Sequence, residues 1–147
     1  MDCINSEKGS QPLVDVALYL YGNSLDPVQV TSMLGAEPSK TRVKGEKWYT
    51  CTNKEVVPKI GVWELTAQSK SESLSDQIAW LRQRLNSAVC SPSDISGVEK
   101  VEVSIFVALG SNNEGALDYN SELTLEDLAW LNSIGAIVSF SITYTRD

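Results

Sequence analysis

Residues able to move a proton near neutral pH are scarce in this chain of 147 residues, because it contains no histidine. Histidine is the commonest general base and the commonest metal ligand, so acid–base chemistry would fall to carboxylates or thiols. Asp118, Glu122, Glu126 and Asp127 gather in and just after one acidic stretch. Their oxygens suit a hard divalent cation. Such a run is more often a solvated surface, and the spacing requires no metal. Cys3, Cys51 and Cys90 are far apart and form no CxxC pair. An odd, sparse set argues against a disulfide framework and against a zinc site. A thiol nucleophile also needs a neighbouring base or positive charge to ionise, so the three read as buried or incidental thiols. No dinucleotide fingerprint, phosphate loop, HExxH, nucleophile elbow or calcium loop is present. The sequence therefore predicts a protein that is not an enzyme and carries no cofactor or metal.

Charge narrows the partners. The formal net charge is −7, which disfavours nucleic acid and anionic membranes, since both require a basic footprint. A basic protein partner fits better, because opposite fields speed encounter. No apolar run approaches the ~20 residues of a membrane span. Met1 to Pro12 is polar, without the apolar core of a secretory signal, so a cytoplasmic protein is expected. One stretch runs against the overall balance. Lys40, Arg42, Lys44 and Lys47 lie within eight turn-rich residues, and are either a weak anion-binding loop or simply exposed.

The elements that would position these residues follow from pattern. Residues 1–12 read as a flexible tail and 13–147 as a single α+β domain, within the usual size range. Val14, Val16, Leu18 and Leu20 alternate with other residues, the period of a half-buried strand. Asp26 and Pro27 begin a helix as N-cap and first helical residue, and Gly35 ends it. Trp48–Thr52 and Val62–Thr66 read as strands of a wide hairpin. Leu74, Ile78, Leu81, Leu85 and Val89 repeat at helical spacing, predicting a helix from Ser73 to Cys90. Val101 to Leu109 alternate as a strand. A helix capped by Thr124 and Asp127 follows, closing at Gly135, and Val138–Tyr144 forms the last strand.

This order begins like the split βαβ arrangement. It predicts a ferredoxin-like-derived antiparallel sheet of about five strands with helices packed on one face. The other face would then present Asp15, Tyr19, Tyr21, Glu102, Ser104, Phe106, Ser139, Ser141 and Thr143. Aromatics on such a face suit a protein partner or self-association. Asp15, Tyr19, Tyr21, Glu102 and Phe106, with Asp118 and Glu122 from the acidic loop, form the candidate partner-binding set. Leu25–Asp26 with Gly35–Ala36, and Leu123–Thr124 with Gly135–Ala136, also repeat one capping scheme, through duplication or through shared capping rules.

The ordered string Leu25-Asp26-Pro27, Leu34-Gly35-Ala36-Glu37-Pro38, Gly45, Gly61-Val62-Trp63-Glu64-Leu65, Leu123-Thr124-Leu125-Glu126-Asp127-Leu128, Gly135-Ala136 and Tyr144 resembles the bacterial family catalogued as domain of unknown function 4279. The resemblance spans about Val14 to Tyr144 and implies no catalytic residues. The expected role is protein binding, in the form of an immunity-type inhibitor that neutralises a bacterial toxin, a basic toxin domain being one such partner. The alternative is a small-ligand or regulatory module, as a homodimer in one form.

Overall fold

The computed structural model describes residues 13–69, 71, 73–110 and 119–145. The expected tail, Cys3, Asp118 and most of the acidic loop lie outside these residues. Among the described residues, seven strands and three helices run in the order β1 (Leu13–Gly22), α1 (Pro27–Leu34), β2 (Lys40–Arg42), β3 (Trp48–Tyr49), β4 (Glu55–Val56), β5 (Gly61–Thr66), α2 (Leu74–Arg84), β6 (Lys100–Gly110), α3 (Leu125–Ser133) and β7 (Ile137–Thr145). A single 3₁₀ turn at Pro92–Asp94 precedes β6.

Five strands form one sheet in the order β2-β5-β1-β6-β7. β5 lies antiparallel between β1 and β2, and β6 runs antiparallel along the other side of β1. The sheet is mixed, because β7 pairs parallel to β6. Helix α3 crosses over between those two strands, and such a connection returns the chain in the same direction. The α+β class is as expected; the parallel last strand is a correction to a fully antiparallel sheet.

The second strand of the sheet is also reassigned. Trp48–Tyr49 does not pair with β5. It makes a separate small hairpin with Glu55–Val56, while the basic stretch supplies the edge strand β2. Thr41 lies opposite Trp63 in the register, with Lys40 and Arg42 alternating to the other face. Such short, charged strands suit a sheet edge.

Val14, Val16, Leu18 and Leu20 pack with Trp63, Leu65, Val101, Val103, Ile105 and Val107 beneath Val30, Leu34, Ile78, Leu81 and Leu131 of the helices. Trp63 is fully buried, and its indole N–H donates to Thr31 Oγ1 at 3.0 Å. Helix α2 is shorter than its periodicity suggests. It ends at Arg84 rather than Cys90, and the Val89 N–H instead donates to the Met33 carbonyl at 3.0 Å. Asn86 and Ser87 are weak helix formers, so the tertiary bond prevails there.

Two buried polar residues fasten the helices to the sheet and to each other. The β5 ladder stops after Ala67 donates to the Val16 carbonyl. Gln77 of α2 then acts as the missing rung. Its Oε1 accepts from Val16 N–H at 3.1 Å, and its Nε2 donates to the carbonyls of Val14 and Ser71, each at 2.8 Å. Asp127 closes the capping box of α3 with Thr124 and accepts from the Ser75 hydroxyl of α2 at 2.6 Å.

Both predicted caps form. Asp26 accepts from Val28 N–H, and Gly35 and Gly135 have φ of 66° and 67°. The echo stops at the caps, however. α1 leads to a strand separated from β1 by β5, whereas α3 leads to the strand directly beside β6. Cys90 is a free thiol, while Cys51 is disulfide-bonded, which departs from the expectation of unpaired cysteines.

Candidate functional site

The face opposite the helices is built by the out-pointing half of each strand. Cross-strand register places Lys40, Glu64, Tyr19, Glu102 and Ile137 in one row across the sheet. Arg42, Val62, Tyr21 and Lys100 form the next. On the other side of the first row come Thr66, Ala17, Ser104 and Ser139, and then Asp15, Phe106 and Ser141. The expected residues Asp15, Tyr19, Tyr21, Glu102 and Phe106 therefore do share one face.

Aromatic rings form its spine. Tyr19 and Tyr21, two residues apart on β1, stack with centroids 5.8 Å apart and planes 6° from parallel. The Arg42 guanidinium lies 3.9 Å from the centre of the Trp48 ring, so the small hairpin extends the face past β2. Arg42 also donates to the Thr41 carbonyl at 2.7 Å, and its Nε is buried without an acceptor. Lys100 pairs with Glu102 at 2.9 Å and sits 5.4 Å from the Tyr21 ring.

The electrostatics of the face are mixed. Asp15, Glu64 and Glu102 share it with Lys40, Arg42 and Lys100. β2 brings in two of these cations and β6 the third. Tyr19 shows how tightly the groups interlock. Burial first, then a hydrogen bond to Glu64 and the negative charge of Glu64 and Glu102, push its phenol well above the ordinary value. Tyr21 is raised for the same reasons, burial leading and the charges of Glu102 and Glu64 following. Both tyrosines are therefore neutral hydrogen-bonding groups throughout the physiological range.

Of the other expected site residues, Lys40 and Arg42 join this face, and Asp118 lies outside the described residues. Glu122 follows Ser121, whose hydroxyl accepts from Leu74 N–H at the start of α2. Glu122 therefore belongs to the helical side. The basic stretch is spread over β2, the loop after it and the small hairpin. Lys47 pairs with Glu55 at 3.0 Å within the hairpin, Lys44 is exposed in the loop after β2, and Arg42 is held by Trp48. Asp127 is committed to structure. Burial alone would raise its pKa, but hydrogen bonds from Ser75 and Thr124 and the charge of Arg82 hold it below the ordinary carboxylate value.

Sequence reasoning missed Glu64, Lys100 and Trp48 as members of the face. Glu64 alternates with Trp63 and Leu65, and Lys100 shares the phase of Glu102, so period two marks both. Trp48 carries no such signal, because its place depends on a contact with another segment.

On the helical side, a groove of ≈ 440 Å³ runs between the end of α1 and α2, lined in part by Ala36, Ser39, Gln68, Trp80 and Arg84. Arg84 stacks 4.6 Å from the Trp80 ring centre. Among the described residues, no group of three or more His, Cys, Asp or Glu side chains is placed to hold a metal ion, and no helix is long and apolar enough to cross a membrane.

These features define a small α+β domain with one sheet face under helices and one open, aromatic and charge-paired. The chain belongs to the family described as Domain of unknown function (DUF4279), whose model matches residues 12–145. No curated protein and no solved structure matches it.

Proposed function

We propose that the protein is a binding domain rather than an enzyme, and that it recognises a protein partner through the open sheet face. The observation that carries this reading is the composition of that face. Trp48, Arg42, Tyr21, Tyr19 and Phe106 line one surface, interspersed with the hydroxyls of Thr66, Ser104, Ser139 and Ser141. Trp, Tyr and Arg are the residues that most often dominate interface energetics. Tyrosine and serine together make adaptable contacts at low entropic cost.

Charge matching within the face removes simple attraction as its recognition mode. A basic partner would instead be steered by the field of the whole molecule, with its net charge of −7, and then held by aromatic contacts. An immunity-type inhibitor of a basic toxin domain is the form of this function that such steering suits. A cytoplasmic location belongs to the same reading. It requires Cys51 to be reduced in the cell, and rapid alkylation followed by mass spectrometry would reveal a disulfide if it is not.

Site-specific photo-crosslinking tests the proposal. A crosslinker at Ser104 on the open face should capture a discrete partner from the host cell, and one at Gln83 on α2 should not. Tyr21→Ala should weaken that capture at least tenfold. Capture from Gln83 alone, or capture from Ser104 indifferent to Tyr21→Ala, would refute it.

A further inference from the structure

The two edges of the sheet are built differently. β2 is three residues long and carries Lys40 and Arg42, the usual protection of an exposed edge. β7 runs nine residues, Ile137–Thr145, without a charge, a proline or a glycine. Among the described residues it is paired on one side only, to β6. By the same physics, a long uncharged edge rich in β-branched and aromatic residues is a template for another strand.

The side chains of β7 match this. Phe140 and Ile142 stand in register with Ile105 and Val107, so they point to the helix-bearing face. Ile105 and Val107 are 0% and 2% exposed, whereas Phe140, Ile142 and Tyr144 are 60%, 68% and 46% exposed. The helical layer covers β6 and stops short of β7. An apolar strip is left along the edge that has no further strand beside it among the described residues.

We propose that β7 pairs antiparallel with the β7 of a second copy, about a two-fold axis near Ser141, to form one continuous sheet across the dimer. Antiparallel pairing about Ser141 sets Phe140 against the partner copy's Ile142 and the reverse, which makes the strip self-complementary, as a two-fold interface must be. Charge selects this occupant. The strip offers no ion to a basic or acidic partner, and two copies of a net −7 chain meet there without burying a like charge. Phe140 and Tyr144 each still expose about 100 Å² of a large aromatic side chain. With Ile137, Ile142 and the strand backbone, two copies approach the ~1,000–1,200 Å² lower bound of a specific interface. The dimer is therefore concentration-dependent. It lies apart from the aromatic spine and would display two copies of that face on one side of a joined sheet.

Sedimentation velocity from about 1 to about 200 µM tests the proposal, a range that spans weak interfaces of this size. The apparent mass of wild type should rise from the 16.1 kDa of one chain towards twice that value. Ile142→Lys should abolish the rise, with an unchanged urea midpoint because Ile142 is exposed in the single chain. Amide exchange along β7 should slow with concentration in wild type and not in the variant. A wild type that stays monomeric throughout overturns the proposal. So does an Ile142→Lys protein that dimerises as wild type does, or a dimer that Tyr21→Lys dissociates and Ile142→Lys leaves intact. None of these outcomes depends on partner capture at the open face.

Discussion

Gln77 is a buried amide that behaves as one rung of a β-ladder, and removing it should be unusually destructive for a single polar side chain. Gln77→Leu keeps the volume and the helix propensity but removes every hydrogen-bonding atom. The Val16 N–H and the Val14 carbonyl, satisfied at 3.1 and 2.8 Å in the native protein, would then be buried without partners. Each orphaned group costs about 1–3 kcal/mol, so a loss of about 3 kcal/mol is expected, less where water can enter at the Ser71 end. With a urea slope of about 2 kcal/mol/M for a domain of this size, the unfolding midpoint should fall by about 1.5 M. Tryptophan fluorescence reports the transition, since Trp63 is fully buried. Hydrogen exchange gives an independent readout, because the Val16 amide should lose its protection while neighbouring β1 amides bonded to β6 keep theirs. Gln83→Leu, exposed on the same helix, should shift the midpoint little. A Gln77→Leu midpoint within about 0.3 M of wild type, with the Val16 amide still protected, would show that the side-chain rung contributes nothing.

Other consequences follow from the same geometry. Asp127→Asn should destabilise the protein by about 1.5–3 kcal/mol at neutral pH through lost charge-assisted hydrogen bonds. The Asp127 pKa is lowered by folding, so its contribution is present above the unfolded value near 4 and is lost as pH falls through the folded value. The gap between variant and wild type in urea midpoint should therefore close in acid. Gly22→Ala should be severely destabilising or insoluble, because a Cβ there would overlap the Gly97 carbonyl oxygen; Gly45→Ala meets nothing within 4 Å and should lose only about 1 kcal/mol from its positive φ, as thermal melts would register. In a spectrophotometric phenol titration Glu64→Gln should lower the midpoint of Tyr19. Folding raises the Tyr19 pKa, so the associated stability is complete below the unfolded value near 10 and is lost as pH rises through the folded value.

The candidate face was legible to the extent that it follows strand period. Once Val14, Val16, Leu18 and Leu20 are assigned inward, Asp15, Tyr19 and Tyr21 must point outward, and the same logic applies to Glu102 and Phe106 on β6. Its charge was not legible. Lys40 and Arg42 looked like a loop because β2 is only three residues long, and a three-residue strand has no period to detect. Only pairing with β5 sets those cations beside Glu64 and Val62.

Local chemistry alone determined the caps at Asp26 and Thr124, the stops at Gly35 and Gly135, and the inward face of β1 and β6. Each depends on residues within a turn or a strand of one another, so the sequence determined them by itself. The tertiary structure decided where α2 ends, which segment pairs with β5, and that β7 lies parallel beside β6 as an uncovered edge. Those outcomes compare distant alternatives. Val89 N–H bonds to Met33 instead of continuing a helix, β2 displaces Trp48–Tyr49 from the sheet, and the helices cover β6 but not Phe140 and Ile142. The free energy of each depends on what else the same surface could bury, and no window along the chain contains that comparison.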